Sequence, residues 1–332
     1  MTAVTVLVGD IGGTHARLAV VMLEGGRPRI LEEHRYPSRE YDGLAPIVQE
    51  FLHSHHTEPA RAVFAVACPV VRGAGRLPNL GWEVDERTLA RASGIADTRL
   101  INDFDAIGHA IPILGEDDLV PLQGTVWHGP GTAAVIGAGT GLGMGMAVIH
   151  DTEAEVHSSE GGHADFAPGD ERQARLLAFL RERFGHVSTE RVVSGPGLVN
   201  VYEFVAETGI APTLPATRQA MADGDDPAAA VSERGMAGTD PACAAALEIF
   251  VSAYGAAAGN LALTVRADAV FVGGGIAPRM LPKLRDGTFA AAFRNKGRLG
   301  DLLAAVPVLT IVNGDVGLLG AAHAATHRQQ ER

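Results

Sequence analysis

The stretch VTVLVGDIGGTHARLAV, Val4 to Val20, decides how the chain begins to fold. Val4 to Val8 is rich in β-branched residues, which favour a strand. It ends at the turn Gly9-Asp10-Ile11-Gly12-Gly13, and a second apolar run, Ala16 to Leu23, follows at once. Too few residues separate the runs for a crossover helix, so the reading is strand, tight turn, strand. The same pattern returns mid-chain: Ala133 to Ile136 as strand, Gly137 to Gly143 as turn, Met144 to Ile149 as strand. Two such units, one opening each half, predict a duplicated architecture.

Between these units the patterns alternate. Leu44 to His53 has helical spacing with Pro46 in its first turn, where proline is tolerated. Ala62 to Ala67 reads as a strand, as does Leu100-Ile101, which runs into Asn102-Asp103-Phe104 ahead of a helix expected from Asp105. Asp170 to Phe184 is an amphipathic helix with Asp170 as N-cap and Gly185 just past its end. Ala211 to Asp240, rich in Ala, Gly, Pro and Asp, reads as an irregular insertion holding a helix and loops. Leu247 to Leu263 is a long helix leading to the strand Ala269 to Val272. A helix from Pro278, a strand at Val306 to Val312 and a terminal helix at Leu318 to His327 complete the pattern.

The 332 residues, 46% hydrophobic, fit one large domain or two ordinary ones and exclude a globally disordered chain. A net charge of −12 argues against a general nucleic-acid binder, though not against an anionic substrate held by backbone amides or a metal ion. The two cysteines, Cys68 and Cys243, read as buried small hydrophobes in a reducing compartment, so a cytoplasmic location is expected. The start lacks a charged region followed by a long apolar one, and no apolar run of 18 residues was found, so neither an export signal nor a membrane span is expected. His53, His55 and His56 form a close group that reads as a solvated helix end.

The glycine turns carry the first functional signal. Gly137 to Gly143 imitates a dinucleotide-binding fingerprint, and Glu155 or Glu160 lies about 20 residues on. That fingerprint needs a helix directly after its glycines, whereas Met144 to Ile149 is strand-like. A P-loop motif is absent as well. The remaining reading is a pair of hairpin turns whose bare backbone approaches phosphates: Asp10, Gly12, Gly13 and Thr14 in one, Gly139, Thr140 and Gly141 in the other. The threonines add hydroxyl donors, and Asp10 would hold a hydrated Mg²⁺ bridging the phosphates of ATP. Gly273-Gly274-Gly275, at a strand-to-helix junction, can lie against an adenine or ribose; a ligand-free helix-entry turn also fits it.

The polar residues carry the second. Asp103, at the end of a short strand, suits a base that takes a proton from an acceptor hydroxyl; taken alone it reads more simply as a helix N-cap. Glu160-Gly161-Gly162-His163 sets a carboxylate and an imidazole on one tight loop, a pair matched to sugar hydroxyls. Metal ligation by this pair lacks a companion ligand cluster. Glu190 precedes the turn-rich Arg191 to Gly197 and can serve the same pocket.

The segments LVGDIGGTHARLAV, LINDFDAIGHAIP, GAGTGLGMG, EGGHADFAP, ERVVSGPGLVNVY and FVGGGIAPR, running from Leu7 to Arg279, resemble the bacterial glucokinases of the hexokinase, actin and chaperone ATPase superfamily. The resemblance implies an α/β, two-domain actin-like ATPase fold, with ribonuclease H-like duplicated domains and an interdomain cleft. It implies a small domain over 1–113, rejoined by the C-terminal helix at about 304–332, and a large domain over 114–303. It implies ATP bound by Asp10, Gly12, Gly13, Thr14, Gly139, Thr140, Gly141 and Gly273 to Gly275, and glucose bound by Asn79, Asn102, Asp103, Glu160, His163 and Glu190. Asp103 would be the catalytic base, Mg²⁺ would accompany ATP, and a homodimer is expected. His15 departs from the asparagine that often follows the glycine-glycine-threonine turn. The distant single cysteines cannot build the clustered-cysteine zinc site of the related repressors and kinases.

Three alternatives remain at this stage. A sugar-responsive regulator would need a helix-turn-helix ahead of Gly9, where eight residues stand. A chaperone- or actin-like ATPase would turn over ATP without sugar. A kinase of another hexose, mannose or glucosamine, would share every motif above.

Overall fold

Strand β1 (Val4–Ile11) turns back into β2 (His15–Leu23), pairing antiparallel with Ile11 opposite Ala16 and Asp10 opposite Arg17. The computed structural model describes residues 4–24, 27–54, 58–224 and 226–326; His55, His56 and His327 lie outside them. Its contacts divide the chain into two units: Met1–Gly115 with Ile149–Ser158 and Asn313–Arg332, and Glu116–Val148 with Ser159–Val312.

In the first unit β3 (Arg29–Pro37) extends the hairpin, and β4 (Arg61–Val66) and β7 (Thr98–Asn102) continue the sheet in the order β3-β2-β1-β4-β7. Two short strands, β5 (Ala74–Leu77) and β6 (Trp82–Asp85), form a separate hairpin. Side chains alternate across β1: Leu7 and Ile11 join the core containing Phe51 and Phe64, while Val6 and Val8 join one containing Leu318 and Ala321. Burial on both faces accounts for the near-continuous apolar runs seen in the sequence. Helix α1 (Leu44–Ser54) packs with α2 (Glu86–Ser93) on the first core. Helix α3 (Asp103–Ala110) and the Val316–Ala324 helix cross so closely that a Cβ at Gly320 would fall 1.7 Å from the Ala106 carbonyl oxygen.

The second unit repeats the scheme. β9 (Gly131–Ala138) and β10 (Leu142–His150) flank the turn 139–141, and β12 (Ala269–Gly273) and β13 (Val308–Ile311) run parallel beyond β9. The order is β10-β9-β12-β13-β8, with β8 (Leu119–Gln123) an added antiparallel edge. β11 (Glu153–Ser159) returns from β10. A hairpin followed by two parallel strands thus occurs in both units, matching the expected duplication. A strand, not a helix, follows the turn at Gly139, which removes the dinucleotide reading.

The differences from sequence are local. Helix α3 starts at Asp103, two residues before the expected point, because Asn102 takes the cap position. The insertion holds two helices, Pro215–Asp223 and Pro227–Met236. Helix α4 (Glu171–Phe184) has the expected Asp170 cap, and α5 (Gly195–Glu207) is capped by Ser194. Against the expectation that nothing in the chain could span a membrane, the 25-residue Pro241–Val265 helix is long and apolar enough to cross one, its most apolar window averaging a hydropathy of 1.4, although Glu248 interrupts every run of 18 residues in it. That window is 72% buried, so core packing on every side accounts for its composition.

Candidate active site

The first group of side chains gathers where β1, β4 and β7 end. Parallel register sets Ile11 beside Val66 and Val66 beside Asn102, so Asp10 and Asp103 emerge at one sheet edge. Asn102 caps α3, its Oδ1 accepting from the Phe104 N–H at 2.8 Å, and its Nδ2 donates to the Cys68 carbonyl at 3.1 Å. The cap role that Asp103 could have filled therefore belongs to its neighbour. Burial, chiefly, and the Asp10 charge push the Asp103 carboxyl up to about 7, against a small opposing effect of the Phe104 N–H. Burial also raises Asp10, while the Arg17 guanidinium pulls it back down.

The turn after Asp10 is held from outside. The Gly12 N–H donates to the His15 carbonyl at 2.9 Å, the Ser38 hydroxyl to the Gly12 carbonyl at 3.0 Å, and the Ser38 N–H to the Thr14 carbonyl at 3.0 Å. His15 Nδ1 lies 2.9 Å from an Arg35 guanidinium nitrogen; because arginine only donates, Nδ1 accepts. Thr14 is exposed. Asn79 lies beside this turn, its Cβ 3.2 Å from where a Cβ on Gly13 would sit.

Arg17 and Asp315 were not among the residues singled out from sequence. Arg17 bonds Glu33 at 2.8 Å, the Gly314 carbonyl at 2.7 Å and Asp315 at 2.5 Å, fastening the Gly314-Asp315 turn to β2. Gly317 then lets the Asp10 carboxylate lie against the first turn of the Val316–Ala324 helix, where a Cβ would come within 2.9 Å of it. The available signal was a further glycine-acid turn, Asn313-Gly314-Asp315, between a strand and a helix.

The second group gathers around the turn 139–141. The Gly195 N–H donates to the Gly139 carbonyl at 2.8 Å, and the Gly139 N–H to that of Gly141 at 2.8 Å. Glu190 Oε2 accepts from the Leu142 N–H at 2.8 Å, so Glu190 stands directly beside this turn. Gly161–His163 forms a short 3-10 turn closed by the His163 N–H to the Glu160 carbonyl at 3.0 Å. Bonds from Thr189 N–H to the Ala164 carbonyl (2.8 Å) and Phe166 N–H to the Val187 carbonyl (2.9 Å) stitch this loop to the one bearing Glu190. Glu160 and His163 are exposed. The third glycine cluster abuts the second, Gly273 being in register with Gly137.

Within that cluster Gly274 is needed by the fold, with φ at +81° and the Ala138 carbonyl 2.6 Å from an added Cβ. Gly139 is different: its φ is not positive, and nothing lies within 4 Å of an added Cβ. The protein does not need a glycine there, whereas a ligand approaching the backbone would. The space over Gly139 beside exposed Thr140 leaves room for phosphate oxygens, and half-buried Asp10 fits a hydrated cation. Among the described residues no three His, Cys, Asp or Glu side chains are grouped to hold a metal ion.

A family model described as Glucokinase matches residues 7–328. The glucokinase of Nostoc sp. (strain PCC 7120 / SAG 25.82 / UTEX 2576) is 40% identical over 332 residues, covering 95% of this chain and 97% of the relative. The crystal structure of a glucokinase from an Antarctic psychrotroph is 34% identical with a TM-score of 0.82, over 96% of this chain and 98% of that one. A ROK family glucokinase from Streptomyces griseus, in complex with glucose and AMPPNP, shares the fold at a TM-score of 0.65 and 21% identity, over 96% of this chain and 98% of that one.

Proposed function

The chain belongs to the glucokinase family, and from that premise we propose how its residues carry the γ-phosphate of ATP to the 6-hydroxyl of glucose, giving glucose 6-phosphate and ADP. It is an ATP-dependent phosphotransferase. Asp103 takes the proton from the 6-hydroxyl as that oxygen forms its bond to the γ-phosphorus and the bond to ADP breaks. The observation that carries this role is a carboxylate at a strand end, just inside the cap position held by Asn102, and raised to about 7. Such a base is both ionised often enough and basic enough to act at neutral pH.

Asn79, Asn102, Glu160, His163 and Glu190 hold the sugar hydroxyls, their amides, carboxylates and imidazole matching groups that donate and accept. Asp10, Gly12, Gly13, Thr14, Gly139, Thr140, Gly141 and Gly273 to Gly275 hold the nucleotide, as the open backbone at Gly139 supports. Asp10 would hold a hydrated Mg²⁺, which would neutralise phosphate charge. A cytoplasmic location is supported by two buried free cysteines. A small and a large domain, a homodimer and a place in glycolysis rest on the family resemblance. A coupled assay of ADP release over glucose, mannose and glucosamine tests the reading. ATP turnover should be nearly silent without sugar and fastest with glucose. Comparable turnover without sugar would instead indicate an ATPase, and a faster rate on another hexose a different kinase.

A further inference from the structure

A cavity of about 290 Å³ opens in the second unit, walled by Asp170, Gln173, Ser252, Asn260, Asn295 and Lys296 together with small apolar residues. None of these belongs to the groups assigned to glucose or ATP. Its volume lies near the lower end of small-ligand pockets, about 300–1,000 Å³.

Lys296 is the unusual member. Its stem crosses the Pro241–Val265 helix at Gly259, where a Cβ would fall 2.8 Å from Lys296 Cε. The ammonium donates to the Ala256 carbonyl at 3.1 Å, and among the described residues no carboxylate pairs with it. Burial holds its pKa below the ordinary lysine value. A half-buried cation with two N–H bonds left over calls for an anion.

The opposite wall is preorganised for hydroxyls. Gln173 is 1% exposed, its Oε1 accepting from the Gly169 N–H at 2.9 Å and its Nε2 donating to the Ser252 oxygen at 3.2 Å. The Ser252 hydrogen is thereby free to be donated outward. Asn260 and Asn295 are exposed at the rim, and Asp170, whose Oδ1 caps α4 and whose Oδ2 lies 3.7 Å from the Arg172 guanidinium, adds carboxylate lone pairs. One cation among amides, a hydroxyl and a carboxylate suits a polyol bearing one anionic group; a bare dianion would meet Asp170 with nothing to offer it.

We propose that this cavity is a second ligand site, one that binds a polyol carrying an anionic group, of the size of a hexose phosphate. Its wall begins at Ala167, four residues past the Glu160–His163 loop. An occupant therefore touches the segment that carries the sugar-binding pair, a coupling that rests on the reading of that pair given above.

Calorimetric titration of glucose 6-phosphate into protein saturated with glucose, without ATP, tests the site. Glucose blocks binding of the product at the sugar residues, so one remaining equivalent is expected. Lys296→Met, which keeps the stem, should weaken it by more than about tenfold, and Asn295→Ala, at an exposed position, by about fivefold or more. The kcat of Lys296→Met at low product should stay at wild type. No binding under saturating glucose, binding indifferent to both variants, or inorganic phosphate binding equally well would each overturn the proposal. Failure of the catalytic reading leaves this test intact, because it reads binding at Lys296 without turnover.

Discussion

The turns at Asp10–Thr14 and Gly139–Gly141 begin as the same hairpin motif yet differ in how they are equipped. The first has charge: Asp10 at the sheet edge, Asp103 repelled by it, and Arg17 restraining it from the other side. The second has almost none of its own, and its shape is set by Glu190, Gly195 and the close approach of Gly274. Repetition of a scaffold therefore did not repeat a chemistry. On the proposed reading one half moves a proton and the other presents backbone to phosphate, so substitutions in the two should be felt in different kinetic constants.

The largest expected effect falls on the charged half. Asp103→Asn keeps shape and hydrogen bonding and leaves α3 capped by Asn102, so kcat should drop by about 10²–10⁴ while glucose binding by calorimetry changes far less. A variant keeping more than about a tenth of wild-type kcat would remove Asp103 from the mechanism.

The same variant tests the electrostatics in ligand-free protein. Between the ordinary carboxyl value of 3.8 and about 7 the folded state holds a proton at Asp103 that the unfolded state has lost. Stability therefore falls as pH rises through that window, and the loss is complete above 7. Asp103→Asn should abolish this slope and be the more stable protein at pH 8 by roughly 2–4 kcal/mol, in urea unfolding. Parallel wild-type and variant curves from pH 4 to 8 would contradict the raised pKa.

Smaller effects belong to the second unit. Glu160→Ala and His163→Ala, both exposed, should raise the glucose KM by roughly 5- to 150-fold, the cost of leaving a hydroxyl unpaired at about 1–3 kcal/mol. An unchanged KM in both would move the sugar site elsewhere. Gly139→Ala is the mildest test. A Cβ there meets no protein atom, so stability should stay within about 0.5 kcal/mol. The KM for ATP should nevertheless rise by about tenfold, or 1.4 kcal/mol, with kcat for bound substrates little changed. If ATP KM did not move, the contrast between the two turns would lose its functional half.

Much of this was legible in the chain. β1, β2, α1, β4, β9, β10 and α4 follow from β-branched runs, helical spacing and caps, all of which act over a few residues. The turns stood out because glycines recur where strands must reverse. Less legible were β3 (Arg29–Pro37), six of whose residues are exposed, and β8, an edge strand containing Pro121. Both lack the strong apolar runs that marked the central strands, and their place is decided by pairing with partners far away.

What the sequence by itself determined was the local grammar: duplicated hairpins, the helix ends, and acids at strand ends. Tertiary structure alone decided which of two adjacent residues takes the cap position of α3, since Asn102 and Asp103 could each serve. It decided that Asp103 feels Asp10, some ninety residues earlier, and that Arg17 fastens the turn at Asp315, about three hundred residues later. It also decided that Lys296 lies over Gly259 beside Gln173 with no carboxylate among the described residues to pair it. The physical reason is range. Propensity and periodicity act between near neighbours along the chain, whereas desolvation and Coulomb forces depend on what folding places within a few ångströms.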